Sequence, residues 1–147
     1  MNKKYYENII NDLERFFSKY DNIAFVLIFG TFSQRRLNEL SDLDIAIYFR
    51  VPLDLVKLGE MISKLEKISQ RRVDVVELQD LYKKDAFFAY NIVTNSEVVL
   101  MNDFSLYVEF KKNTFLYYFD IMPMKKKFDK AFSERIEQGK FGKRNYA

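Results

Sequence analysis

The sequence predicts an α/β fold in which helices flank a small mixed β-sheet and a long helix ends the fold. Two observations predict this class. Apolar residues recur every three or four positions in some segments, and continuously or at every second position in others. The two kinds of segment follow one another as helix, strand, strand, helix, strand, helix, short strand and helix. This order is typical of helices packed on one sheet.

The chain is expected to form a single domain over residues 1–147. Only four Gly and two Pro interrupt it, and it contains neither an internal repeat nor a low-complexity tract that would mark a linker. We expect the core of the domain at about 20–130 and a flexible tail at 139–147.

The first helix and the first two strands are predicted from apolar spacing. The helix is indicated by Tyr6, Ile9, Ile10, Leu13, Phe16, Phe17 and Tyr20. The continuous apolar run 23–29 predicts a buried strand. Residues 42–49 alternate, with Asp42, Asp44, Ala46 and Tyr48 on one side, which predicts a second strand. The segment between the strands is too long for a tight hairpin and favours a short helix followed by a loop.

Apolar spacing also predicts the helices and strands of the second half of the chain. Asp54, after Pro52, indicates the start of a helix with apolar positions at Leu55, Leu58, Ile62, Leu65 and Ile68. The remaining predicted elements are a strand at 71–78, a helix at about 80–93, a short strand at 96–101 and a long helix capped by Asp103. Pro123 lies within that last helix and is expected to kink or break it.

The composition excludes several kinds of catalytic site. The chain has no Cys and no His, which excludes thiolate and imidazole chemistry, Ser-His-Asp triads and metals held by Cys or His. A bound metal would take oxygen ligands, which favours Mg²⁺, Mn²⁺ or Ca²⁺. No apolar run reaches membrane-spanning length, and the amphipathic N-terminus lacks the core of a signal peptide, so a cytoplasmic location is expected.

The net charge of +3 is unevenly distributed. Residues 1–110 carry 14 basic and 17 acidic side chains, whereas residues 111–147 carry 10 basic and 4 acidic ones. The basic segment could face an anionic partner, or it could be a solvated helix face followed by a tail. The second interpretation is favoured, and direct nucleic-acid binding is not expected.

Three carboxylates form the most informative pattern. Asp42 and Asp44 are two residues apart on a predicted strand, so both point to the same face while Leu43 points into the core. Two like charges this close resist ionisation unless a cation lies between them. Asp74 lies inside the next predicted strand and can come alongside if the two strands are neighbours. The three carboxylates would then form an oxygen cage suited to two Mg²⁺ ions.

The Gly30-Thr31 pair supplies the other half of the predicted site. Glycine allows a phosphate to approach the backbone closely, and a helix starting after it would direct free N–H groups at an anion. Ser41, directly before the acidic pair, is a further candidate for nucleotide binding. Together these features favour a bound triphosphate and nucleotidyl transfer with release of pyrophosphate, with Asp74 helping to deprotonate the attacking hydroxyl.

The order of these motifs resembles the nucleotidyltransferase signature of the DNA polymerase β superfamily, in which Gly-Ser, a spacer and Asp-x-Asp precede a third acidic residue on a later strand. The chain is most similar to the minimal nucleotidyltransferases (MNT), the antitoxins of HEPN/MNT toxin–antitoxin pairs. The segments "NIVTNSEVVL" and "FLYYFDIMPMKKKF" also resemble the C-terminal part of those antitoxins. The resemblance covers roughly residues 20–130.

The resemblance implies a specific activity. Such antitoxins use ATP and Mg²⁺ to attach AMP to a tyrosine of the partner HEPN toxin, an RNase, and so neutralise it. Gly30 and Thr31 take the Gly-Ser position, Asp42 and Asp44 the metal pair, and Asp74 the third carboxylate. Thr31 replaces the usual Ser and keeps the hydroxyl. The spacer "FSQRRLNEL" lacks the glycine often found there, and its two arginines could meet phosphate or toxin.

Three other functions are compatible with the sequence. The chain could neutralise a toxin by binding alone, without catalysis. It could transfer a nucleotidyl group to a small molecule, although such enzymes usually add a helical substrate domain. It could also bind nucleic acid through its basic C-terminal segment. The chain is not itself a HEPN toxin, because the RNase motif of that family requires a His.

Overall fold

The computed structural model describes residues 3–30 and 42–137 of the chain. The described residues form four strands and five helices. The strands are β1 (Ile23–Phe29), β2 (Leu43–Phe49), β3 (Val73–Glu77) and β4 (Glu97–Met101). The helices are α1 (Lys3–Phe17), α2 (Leu55–Ser69), α3 (Leu81–Lys84), α4 (Ala86–Thr94) and α5 (Phe104–Glu137).

The four strands form one mixed sheet in the order β3-β2-β1-β4. β1 pairs antiparallel with both β2 and β4, whereas β2 and β3 are parallel. A parallel pair needs a long connection, and α2 provides it between β2 and β3. The start of α2 is fixed by Asp54, whose side chain accepts a hydrogen bond of 2.8 Å from the backbone N–H of Lys57. The predicted mixed sheet with flanking helices is confirmed.

Helices cover both faces of the sheet. On one face, α1 and α2 pack against a cluster that includes Leu43, Ile45 and Ile47 of β2. On the other face, α3, α4 and the first half of α5 pack against a second cluster that includes Phe25 and Ala46. β1 is buried along its whole length because both of its faces are covered. This explains why its sequence is continuously apolar rather than alternating.

Most predicted elements are confirmed, and β1 begins and ends at the predicted residues. The helix expected at about 80–93 is instead two helices, because Asp85 interrupts it and caps α4 by accepting from the N–H of Phe88 at 3.0 Å. Leu55, one of the apolar positions that predicted α2, is 84% exposed. It lies six positions before the buried Met61, which turns it about 120° away around the helix.

The last helix starts as predicted but does not break. Asp103 caps α5 by accepting a hydrogen bond of 3.1 Å from the N–H of Leu106. α5 then continues through Pro123 to Glu137, so of the predicted kink or break, the break does not occur. Proline removes one backbone hydrogen bond from the helix. The helix formers Met124 and Lys126 that follow favour its continuation. None of the described helices combines the length and the apolarity needed to cross a membrane.

Candidate active site

The sheet brings two of the predicted acidic residues directly side by side. In the parallel pair of β2 and β3, Asp44 is the partner of Asp74. Neighbouring strands lie about 4.8 Å apart, and paired residues of a parallel ladder point to the same face. The two carboxylates therefore project together from one face of the sheet. Asp42 lies just outside the strand, one residue before Leu43.

The register is set by apolar residues on the opposite face of the same two strands. Leu43 and Val73 are partners in the ladder, and both are buried in the cluster beneath α1 and α2. The backbone N–H of Leu43 also donates a hydrogen bond of 2.8 Å to the carbonyl oxygen of Arg72. A slip of one residue would exchange buried and exposed side chains. Core packing on one face thus determines which carboxylates meet on the other.

Asp44 lies at the border between solvent and the second apolar cluster. Its antiparallel partner in β1 is Phe29, which is buried and contacts Phe88 of α4 at 5.9 Å between ring centroids. Burial raises the pKa of the Asp44 carboxyl above its ordinary value of 3.8, and the nearby charges of Asp74 and Asp42 raise this pKa further. Among the described residues, the ion pairs include none of these three carboxylates. The ion pairs of the described residues therefore leave the negative charge of these three carboxylates unneutralised.

Gly30 lies directly against this carboxylate. Its φ is +73°, a left-handed conformation that glycine adopts readily and other residues rarely adopt. A Cβ atom added at Gly30 would lie 2.3 Å from Oδ2 of Asp44, closer than any real contact of this kind. Two independent constraints, backbone conformation and space, therefore require glycine here. The glycine therefore lets the Asp44 carboxylate lie directly against the backbone at the end of β1.

The donor chemistry of these residues fits a hard divalent cation. Carboxylate oxygens are the preferred protein ligands of Mg²⁺, and a cation would relieve the repulsion that raises the pKa of Asp44. The described residues nevertheless contain no group of three acidic side chains already arranged around one metal position. The charges of Asp42 and Asp74 act on Asp44, but the three carboxylates are not already arranged around one metal position.

Several predicted positions lie outside the described residues. These are Thr31, Ser41, the two arginines of the spacer, the predicted helix and loop between β1 and β2, and the tail at 139–147. Their predicted roles are untested by the structure. Asp42, Asp44, Asp74 and Gly30 are described, and their assignment to catalysis, metal and nucleotide stays a prediction that the geometry supports.

Sequence reasoning missed Arg72 as a candidate site residue. The carbonyl oxygen of Arg72 accepts the hydrogen bond from the backbone N–H of Leu43. The Arg72 side chain is exposed at the same end of the sheet as the carboxylates. It precedes Asp74 by two residues, and in an extended chain this spacing places two side chains on the same face. The spacing of two residues between Arg72 and Asp74 was the sequence signal that could have identified Arg72. A guanidinium group here could contact a phosphate held beside the acidic residues.

A comparison with protein families identifies the chain. Residues 11–105 match the family described as Polymerase beta, Nucleotidyltransferase. The match covers more than half of the chain. The chain belongs to this nucleotidyltransferase family. Among curated proteins, no sequence matches it. The matched range contains all four strands and every described residue of the candidate site, so the family assignment applies to the part of the fold that builds the site.

Solved structures of low sequence identity share this nucleotidyltransferase fold. A crystal structure of a toxin–antitoxin with AMP-PNP matches with a TM-score of 0.71 at 19% identity, covering 84% of this chain and 98% of that chain. A toxin–antitoxin MntA-HepT structure matches with a TM-score of 0.67 at 17% identity, covering 86% and 98%. A tri-AMPylated Shewanella oneidensis HEPN toxin in complex with MNT antitoxin matches with a TM-score of 0.61 at 20% identity, covering 90% and 99%.

The electrostatics of the candidate site predict a pH-dependent gain in stability for Asp44→Asn. The folded state holds the Asp44 proton more tightly than the unfolded state, because the pKa is raised on folding. Wild-type stability therefore falls as the pH rises from the usual Asp range through the raised pKa. The variant should melt about 2–4 °C higher than the wild type near pH 7 and at about the same temperature near pH 3.

Thermal melts in a metal-free buffer at both pH values measure this difference. Asp120→Asn is the matched control, because Asp120 is exposed on α5 and loses the same charge away from the site. The control should show no comparable gain at neutral pH. A gain for Asp44→Asn that is equally large at pH 3 and pH 7 would show that its cause is not ionisation of this carboxyl.

Proposed function

We propose that this chain is an antitoxin of the MNT type that transfers AMP from ATP to a tyrosine of a partner HEPN toxin and thereby neutralises it. Family membership supports nucleotidyl transfer as the reaction class. The fold supports the antitoxin role, because similar chains occur in toxin–antitoxin structures, one of them with AMP-PNP and another with a tri-AMPylated toxin. The observation that carries the proposal is the Asp44–Asp74 pair, with the Asp44 carboxylate packed directly against the backbone of Gly30.

In this proposal, Asp42, Asp44 and Asp74 would hold divalent ions, with Mg²⁺ expected and two ions suited to three carboxylates. Bound ions of this kind would neutralise phosphate charge and polarise the α-phosphate. Gly30 is the proposed backbone contact of the triphosphate at the end of β1, and Thr31 and Ser41 are the proposed hydroxyl donors to it. Asp74 is the more exposed member of the pair and can accept a proton from an incoming hydroxyl group.

The proposed reaction is an in-line substitution at the α-phosphorus of ATP. The phenolic oxygen of the toxin's tyrosine forms a bond to this phosphorus while the bond from the phosphorus to the bridging oxygen of the β-phosphate breaks. The tyrosine proton passes to a carboxylate of the site, and pyrophosphate leaves. Because little covalent chemistry falls to the protein, the residues act mainly by positioning the reactants and by fixing charge.

The proposal first requires a HEPN protein, recognised by an Arg-spacer-His motif, in the neighbouring reading frame, and co-expression with that protein then tests it. Intact-mass spectrometry of the purified HEPN protein should show one or more added AMP groups, and peptide mapping should locate them on tyrosine. The addition should require ATP and Mg²⁺ in a reconstituted reaction and should stop when EDTA is added. An unmodified HEPN protein that nevertheless loses its RNase activity in the complex would favour neutralisation by binding alone.

A further inference from the structure

One face of α5 carries a regular row of mostly apolar side chains, buried in the first half of the helix and exposed in the second half. Six residues follow each other along the helix at alternating spacings of four and three, and we name them the α5 seam: Phe110, Thr114, Tyr117, Ile121, Met124 and Phe128. This alternation is the heptad pattern that keeps one face of a helix directed at a partner helix.

Burial along the α5 seam changes sharply from one end to the other. Phe110 and Thr114 are 2% and 0% exposed, because there the seam lies on the domain. Tyr117 is 39% exposed and contacts Tyr82 of α3 at 4.9 Å between ring centroids. Met124 and Phe128 are then 73% and 69% exposed. The face of α5 that packs on the domain in the first half of the helix is therefore exposed in the second half.

An exposed stretch of this kind is poorly stabilised without a partner. Helices in proteins owe most of their stability to packing of the apolar face rather than to intrinsic propensity. Pro123, at the point where the seam leaves the domain, removes a backbone hydrogen bond and adds to the cost. Regular large apolar residues on a surface helix indicate a protein interaction site rather than a solvated face.

The charges on this half of the helix indicate the chemistry of the partner. Arg135 lies two turns beyond Phe128 on the same side of the helix, so the seam ends in a cation. Residues 121–137 carry five basic and three acidic side chains. A second copy aligned in parallel would bring the two Arg135 side chains together, which disfavours self-pairing in that arrangement. A helix with apolar seam residues and a carboxylate opposite Arg135 is complementary.

We propose that the exposed half of the α5 seam docks against an amphipathic, acidic-flanked helix of the partner toxin. This inference rests on the proposed function, because it takes the HEPN protein as the partner. The seam contributes the apolar part of the interface, and Arg135 pairs with a carboxylate that fixes the register. The docking surface therefore extends along α5 beyond the domain that carries the nucleotide site.

The test is the affinity of purified variants, measured by isothermal titration calorimetry, for a HEPN protein with an Arg-spacer-His motif sought in the neighbouring reading frame. M124S/F128S should weaken binding by about 30-fold or more, because both side chains would be central apolar contacts. Leu116→Ser is the matched control, since Leu116 is 53% exposed on the same helix but lies off the seam, and it should bind like the wild type. Arg135→Glu should also weaken binding, with Lys64→Glu as the charge control, because Lys64 is an exposed cation on α2.

The outcomes separate this inference from the proposed function. Unchanged affinity of M124S/F128S together with normal AMP transfer would overturn the docking surface and leave the function intact. Weakened binding of this variant, with no AMP transfer even by the wild type, would support the surface and remove the catalytic proposal. If the chain alone sediments as a dimer that M124S/F128S dissociates, the seam binds a second copy and the inference is wrong.

Discussion

Asp44→Asn should abolish AMP transfer to the toxin, lowering kcat by about 10³-fold or more. Asp44 faces Asp74 across the parallel pair and lies closest to the backbone of Gly30, so it is the central carboxylate of the site. The amide that replaces it has a similar shape but no charge to offer a cation. Transfer of label from ATP labelled at the α-phosphate, measured at saturating Mg²⁺, ATP and toxin, reports the loss directly.

Asp54→Asn is the matched control for this result. It makes the same chemical change, and asparagine caps a helix about as well as aspartate, so the start of α2 should be preserved. Its transfer rate should equal that of the wild type. Asp42→Asn and Asp74→Asn should fall with Asp44→Asn if all three carboxylates act at one centre. Full transfer by Asp42→Asn and Asp44→Asn would remove the catalytic proposal, whatever the stability of the variants.

Gly30→Ala should cost the protein about 2 kcal/mol or more of unfolding free energy and should also impair transfer. The left-handed φ of +73° disfavours any residue with a Cβ atom. The added methyl group would lie 2.3 Å from Oδ2 and 3.3 Å from Cγ of Asp44, so this carboxylate would have to move. Chemical denaturation measures the first effect, and the labelled-ATP assay measures the second.

Gly59→Ala provides the opposite control. Gly59 lies inside α2, and nothing lies within 4 Å of a Cβ atom built there. Alanine is the better helix former, so this variant should gain about 0.5–1 kcal/mol and keep full activity. A Gly30→Ala protein as stable and as active as the wild type would mean that the end of β1 does not confine Asp44 as the structure describes.

Local sequence patterns were sufficient to predict the main elements of the fold. A continuous apolar run predicted β1 because both faces of that strand are covered, and alternation predicted which side of β2 packs beneath α1 and α2. Where prediction failed, a single side chain or a longer-range constraint decided the result. Asp85 divides a helix by capping its second half, and α5 continues through Pro123 despite the lost hydrogen bond.

The same division between local sequence pattern and tertiary structure applies to the candidate site. The sequence by itself determined the chemistry of the site: carboxylates two residues apart on a strand, a third in a later strand, a glycine after β1, and neither His nor Cys to provide an alternative. Only the tertiary structure decided that β3 pairs with β2 in the register that joins Asp74 to Asp44, and that Gly30 lies against the same carboxylate. The reason is physical. Periodicity reports which face of an element is buried, whereas strand partners and contacts between distant residues depend on how whole elements pack.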